Sequence, residues 1–108
     1  MTNFDNYARF IGEQRRFEDG RQYRWYEWEV FVNEDAAVLD AIRNVEYRLH
    51  PTFPNPNRVV GDRDTRFALR SRGWGEFPIQ IRVNFKDGRE ELTRYELRLG
   101  KPWPSGHQ

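Results

Sequence analysis

Hydrophobic and polar residues alternate with period two along much of the chain. The pattern is clearest from Phe77 to Phe85, where Phe77, Ile79, Ile81, Val83 and Phe85 alternate with Pro78, Gln80, Arg82 and Asn84. Successive strand side chains point to opposite faces, so the spacing predicts a strand with one buried face. Lys86-Asp87-Gly88-Arg89 follows, and Asp-Gly suits a tight hairpin turn because both residues tolerate positive φ. The predicted return strand runs from about Glu90 to Leu99, with Thr93, Tyr95, Leu97 and Leu99 on one face. A second such pair lies earlier: a strand from about Tyr7 to Phe17, a turn at Asp19-Gly20, and a strand from Tyr23 to Val32. In the latter, Tyr26, Trp28, Val30 and Val32 share a face, with Trp28 expected in the core. Val45, Tyr47 and Leu49 mark a further strand, and Phe67 with Leu69 a shorter one.

One segment departs from this period. Asp35 is placed to cap a short helical stretch reaching Arg43, with Val38, Leu39 and Ile42 at helical spacing. Pro51 to Asn57 reads as a loop, since Pro51, Pro54 and Pro56 fix φ and remove backbone donors. Gly61 to Thr65 is polar and turn-like. Residues 1–99 read as one domain. Residues 100–108 read as a tail or linker, in which Trp103 follows no pattern. About seven to eight strands without a long helix predict an all-β antiparallel sandwich, with a barrel as the alternative.

Composition narrows the chemistry. The chain has 108 residues, the size of one domain, and no cysteine. That excludes a disulfide framework, a thiolate zinc site and a thiol nucleophile. The only histidines are His50 and His107, so no multi-histidine metal site is available, and nothing calls for a cofactor. With a net charge of +1, the chain does not advertise nucleic acid or an anionic membrane. No apolar run is long enough to span a bilayer, and Met1 to Phe10 has no signal-like apolar stretch, which fits a soluble cytoplasmic protein, or a nuclear one in a eukaryote. Sixteen of the eighteen basic residues are arginine and 16% of the chain is aromatic. Arginine beside rings can stack on RNA bases, but the balancing acids favour strand faces dressed with arginine.

Two connecting segments carry the functional signal. In Leu49-His50-Pro51-Thr52-Phe53-Pro54, Phe53 lies beyond a proline and outside any strand ladder. It is either a plug over the end of the sandwich or one wall of a pocket. In Gly73-Trp74-Gly75-Glu76-Phe77, Trp74 has a glycine on each side, which permits unusual backbone angles and close approach of a ligand. Periodicity alone leaves open whether Trp74 is a buried turn residue.

Leu49 to Val60 (Leu-His-Pro-Thr-Phe-Pro-Asn-Pro-Asn-Arg-Val-Val) and Gly73 to Ile79 (Gly-Trp-Gly-Glu-Phe-Pro-Ile) resemble the two signature segments of the YEATS domain. Trp28-Glu29-Val30-Phe31-Val32 supports the likeness, which runs in order from about Tyr7 to Leu99. The resemblance implies an immunoglobulin-like β-sandwich that binds acylated lysine of a partner protein and is not an enzyme. It implies an aromatic pair made by Phe53 and Trp74, with His50 and Thr52 lining the channel. Thr52 keeps the hydroxyl of the family's pocket serine, and the Trp74 backbone N–H between Gly73 and Gly75 would meet the acyl oxygen. An acyl-lysine amide is flat and neutral, stacks between rings, and brings one donor and one acceptor that need partners once dry.

Some departures bear on that reading. Where some readers place a channel phenylalanine, this chain has Arg24, flanked by Tyr23 and Trp25. Asp64-Thr65-Arg66-Phe67 keeps a ring but lacks the family's prolines. Short turns and heavy arginine use look like a prokaryotic version of the domain, as a monomer or a module of a larger protein. Two rival functions stand beside the reader. One is a scaffold domain of a prokaryotic signalling or defence protein. The other, disfavoured, is a nucleic-acid-binding sandwich using Arg15, Arg16, Arg21 and Arg24. Neither a Ser–His–acid set nor a phosphate loop is present, and a His50–Thr52 pair has no third group behind it in the sequence.

Overall fold

A computed structural model describes residues 1–15 and 20–108. Its strands are β1 (Phe4–Arg15), β2 (Gln22–Val32), β3 (Ile42–Arg48), β4 (Asn57–Val60), β5 (Leu69–Gly73), β6 (Pro78–Phe85) and β7 (Glu90–Glu96). One short helix, α1 (Ala36–Ala41), joins β2 to β3. The Asp35 side chain accepts from the Val38 amide at 3.1 Å, which is the expected cap. Two antiparallel sheets face each other, ordered β1-β2-β5 and β4-β3-β6-β7. The fold is an immunoglobulin-like β-sandwich. The Phe17 end of the expected first strand, Asp19 of its turn and Arg16 lie outside the described residues, as does the side chain of Arg15.

The alternating positions meet between the sheets. Trp28, Val30 and Val32 of β2, Val45 and Tyr47 of β3, and Ile79, Ile81 and Val83 of β6 are all buried, together with Leu97. Two buried polar side chains tie the layers together, Tyr47 to the segment before β5 and Asn6 to the β7 end of the other sheet. The Tyr47 hydroxyl donates to the Phe67 carbonyl at 2.6 Å. Asn6, fully buried on β1, donates from Nδ2 to the Arg98 carbonyl at 2.7 Å and accepts at Oδ1 from Arg98 N and the Tyr95 hydroxyl. Burial raises the cost of leaving such groups unpaired, so these bonds also select one alignment of the sheets.

Three differences from the sequence pattern have physical reasons. Phe67 is not in a strand. It follows a 3-10 turn over Arg63–Thr65, and both Arg66 and Phe67 take left-handed backbone, with φ of 62° and 55°. That turn aims the Phe67 carbonyl at Tyr47 and its ring into the core. The β7 ladder stops at Glu96, although Leu97 and Leu99 continue its inward face beyond it. On the outer face of β2, Glu27 and Glu29 are buried. Arg9 holds Glu27, while Arg70 and His107 hold Glu29 at 2.9 and 2.8 Å. Residues 101–107 lie over this face. Lys101 O accepts from Ala8 N at 2.8 Å, and the Trp103 ring receives the guanidinium groups of Arg9 and Arg70 at 4.2 and 4.9 Å.

Candidate functional site

A cavity of about 510 Å³ opens at the end of the sandwich where the β3–β4 loop, the β5–β6 turn and the overhang of β2 meet. Its volume suits a small organic group. All six residues singled out from the sequence line it: His50, Thr52 and Phe53 from the loop, and Gly73, Trp74 and Gly75 from the turn.

The loop is held by its own backbone. The Leu49 amide donates to the Pro56 carbonyl at 2.7 Å, and the Phe53 amide to the His50 carbonyl at 3.0 Å. Arg58 on β4 donates to the carbonyls of both Pro54 and Asn55. The prolines leave few backbone N–H groups needing partners, so these bonds suffice to set the loop. They deliver Phe53 onto an aromatic floor, with its centroid 5.3 Å from Phe77 and 6.2 Å from Trp28. Each such contact adds ~0.5–1.5 kcal/mol beyond the area it buries.

Trp74 stands on the opposite segment. Periodicity left it a possible buried turn residue, but it is 42% exposed. Its indole packs against Tyr23 with centroids 4.6 Å apart. The β2–β5 ladder ends at the pair Tyr26–Gly73, so β2 runs on past its neighbour and carries Tyr23 and Trp25 to the site. Trp25 joins the cavity wall. Arg24, where a channel ring was missing, turns away and lies 4.2 Å over Phe10. The rings at this end come instead from the positions on either side of it, Tyr23 against Trp74 and Trp25 in the cavity wall.

The two glycines act through space rather than backbone angle, as neither has positive φ. A Cβ on Gly73 would meet Phe53 Cζ at 3.4 Å, so glycine there lets the ring lie against the strand. A Cβ on Gly75 would meet nothing within 4 Å.

His50 Nδ1 lies 2.9 Å from Thr52 Oγ1 and accepts from the Thr52 amide at 3.3 Å. A nitrogen that accepts an N–H carries no proton, so the threonine hydroxyl donates to it as well. The lone pairs of Oγ1 are left to accept from another donor. Glu76, in the β5–β6 turn, is exposed and accepts from the Leu99 amide at 2.8 Å.

Trp25, Pro54, Arg72, Glu76 and Phe77 also line the cavity but were not among the predicted site residues. Phe77 reads as an ordinary inward strand residue, and Arg72 shares the parity of the solvent face. Only the β2–β5 register, which pairs Arg72 with Glu27, brings Arg72 to the lip.

Fold and site together define a β-sandwich module with an aromatic end pocket. Residues 26–98 match the family model described as the prokaryotic YEATS domain, and the chain belongs to that family. A protein AF-9 homolog of Candida glabrata is 31% identical over 99 residues, covering 89% of this chain and 43% of its own length. Transcription initiation factor TFIID subunit 14 of Schizosaccharomyces pombe is 38% identical over 99 residues, covering 81% and 40%. The chain therefore spans about two-fifths of these relatives. Among solved structures, one described as the Yaf9 YEATS domain recognising H3K122suc peptide superposes with a TM-score of 0.66 at 29% identity, covering 93% of this chain and 78% of that one. Another, the Yaf9 YEATS domain bound to H3K27ac, gives 0.63 at 28% identity, covering 95% and 78%.

Proposed function

We propose that the chain is a non-enzymatic binding module that takes an acylated lysine of a partner protein between Phe53 and Trp74. The observation that carries this reading is the convergence of both rings, the Thr52 hydroxyl and the Gly73-Trp74-Gly75 turn on one cavity. The flat amide stacks between the rings. Its N–H donates to Thr52 Oγ1, whose proton His50 already holds, and its oxygen accepts from the Trp74 backbone N–H. Each bond nets ~1 kcal/mol and each ring contact a similar amount. Against the cost of association, this gives weak binding to a short peptide, on the order of tens of micromolar or poorer. The related domains described with acetylated and succinylated histone peptides support the ligand class.

The hydroxyl–imidazole pair of Thr52 and His50 invites a nucleophile-and-base reading. Among the described residues no carboxylate bonds the far nitrogen of His50, which such a pair needs for orientation. Of the arginines in the nucleic-acid reading, Arg24 is stacked on Phe10. A scaffold role is the main rival, and one titration separates it. Matched unmodified, acetyl-lysine and crotonyl-lysine peptides are titrated into the chain and into Trp74→Ala. The module binds the acylated peptides alone and loses them in the variant with its circular dichroism unchanged, whereas equal responses to all three leave the scaffold.

A further inference from the structure

We infer that Arg72 makes the lip of this cavity a carboxylate-binding subsite, so that ligands presenting a carboxylate beside the acyl amide are preferred; the inference rests on the acyl-lysine reading of the same cavity. Arg72 sits on β5 opposite Glu27 of β2 and lines the cavity. The pairing leaves it underused. Glu27 gives Oε1 to Arg9, which binds through both Nε and Nη2, while Arg72 Nε stays 4.0 Å from Oε2, beyond hydrogen-bond length. Its side chain is 67% exposed and makes no hydrogen bond among the described residues. It is also the one arginine or lysine lining the cavity among those residues. The lining carboxylate, Glu76, is engaged by the Leu99 amide and forms no ion pair with Arg72. A guanidinium fork at the mouth of a mainly aromatic cavity fits a carboxylate through two parallel N–H donors.

That carboxylate can belong to the acyl chain itself or to an acidic side chain beside the modified lysine. Two matched pairs distinguish the sources in one neutral peptide sequence. Butyryl-lysine and succinyl-lysine differ in a terminal methyl against a carboxylate, and acetyl-lysine flanked by asparagine or by aspartate differs only in the neighbour. Binding of the full chain is measured by fluorescence anisotropy, with the unmodified peptide as reference. At least one pair favours its anionic member by about fivefold, the upper range for a solvent-facing ion pair. Arg72→Gln removes the gain while leaving the neutral members within about twofold, Arg72→Lys retains part of it, and added salt shrinks it. No preference in either pair, or a preference that survives Arg72→Gln, overturns the subsite while the reader stands. Butyryl binding no tighter than the unmodified peptide overturns the acyl-lysine reading and the subsite with it.

Discussion

Phe53 rests against Gly73, with its ring edge 3.4 Å from where a Cβ would stand. The loop after β3 and the end of β5 therefore set each other's position, and the width of the cavity depends on a missing methyl group. Gly73→Ala is expected to fold with a small ring shift, since 3.4 Å is a tight but ordinary contact and the backbone angle suits any residue. Gly73→Val drives Phe53 and Trp28 outward and costs about 1–3 kcal/mol, as overpacking does. Thermal unfolding of the two variants checks this: near-native stability for alanine and a clear loss for valine.

Thr52 and His50 act as a pair, and their variants should separate binding from stability. Thr52→Val keeps the shape but removes the acceptor for the ligand amide, and is expected to weaken acyl-peptide binding by about fivefold to tenfold. Thr52→Ser keeps the acceptor and most of the affinity. His50→Ala frees the hydroxyl proton and gives an intermediate loss. Both partners are exposed, so unfolding temperatures should change little. Titrations with one acetyl-lysine peptide give the ranking.

Tyr47→Phe tests the link between β3 and the segment before β5. It leaves the Phe67 carbonyl buried and without its hydroxyl donor, next to a backbone already in the left-handed region. The cost is about 1–3 kcal/mol, and each 1 kcal/mol lowers the midpoint of a domain this size by roughly 4–8 °C. Calorimetry should show that drop with the tyrosine's removal.

The pH dependence follows from Asp5 and Tyr95. Burial acts to raise the Asp5 carboxyl, but the Lys101 hydrogen bond, the Asn6 amide and the Lys101 charge outweigh it and hold the group below its ordinary value. Its contribution to stability is full above the unfolded-chain value of ~3.9 and is lost as pH falls through the lower folded value. Tyr95 moves the other way: burial, then the Asp5 charge, push its phenol up to about 12. Its contribution is full below the unfolded value of ~10 and is lost as pH rises through the folded one. Lys101→Met should raise the Asp5 midpoint in a carboxyl NMR titration, and phenolate absorbance should place Tyr95 well above a free tyrosine.

The alternation that marks β6 and β7 was enough to find the sandwich, because half-buried strands repeat every two residues. Phe67 broke the pattern because its place, in the segment before β5, is set by a hydroxyl on Tyr47 of β3, twenty residues earlier in the chain. The burial of Glu27 and Glu29 under Arg9, Arg70 and His107 has no period at all, since long-range ion pairs leave no local trace. At the site, the two motif segments were readable as loops rich in proline and glycine around large rings. Trp25 and Arg72 were not, because their approach depends on how far β2 overruns β5.

The central claim is that a planar acyl amide lies between Phe53 and Trp74. A peptide carrying acetyl-lysine with a carbon-13 methyl group tests it most directly by NMR. The account predicts that the bound methyl resonance moves upfield under the two rings and gives nuclear Overhauser contacts to both Phe53 and Trp74. A peptide that binds with its methyl shift unchanged and shows contacts to neither ring would contradict it.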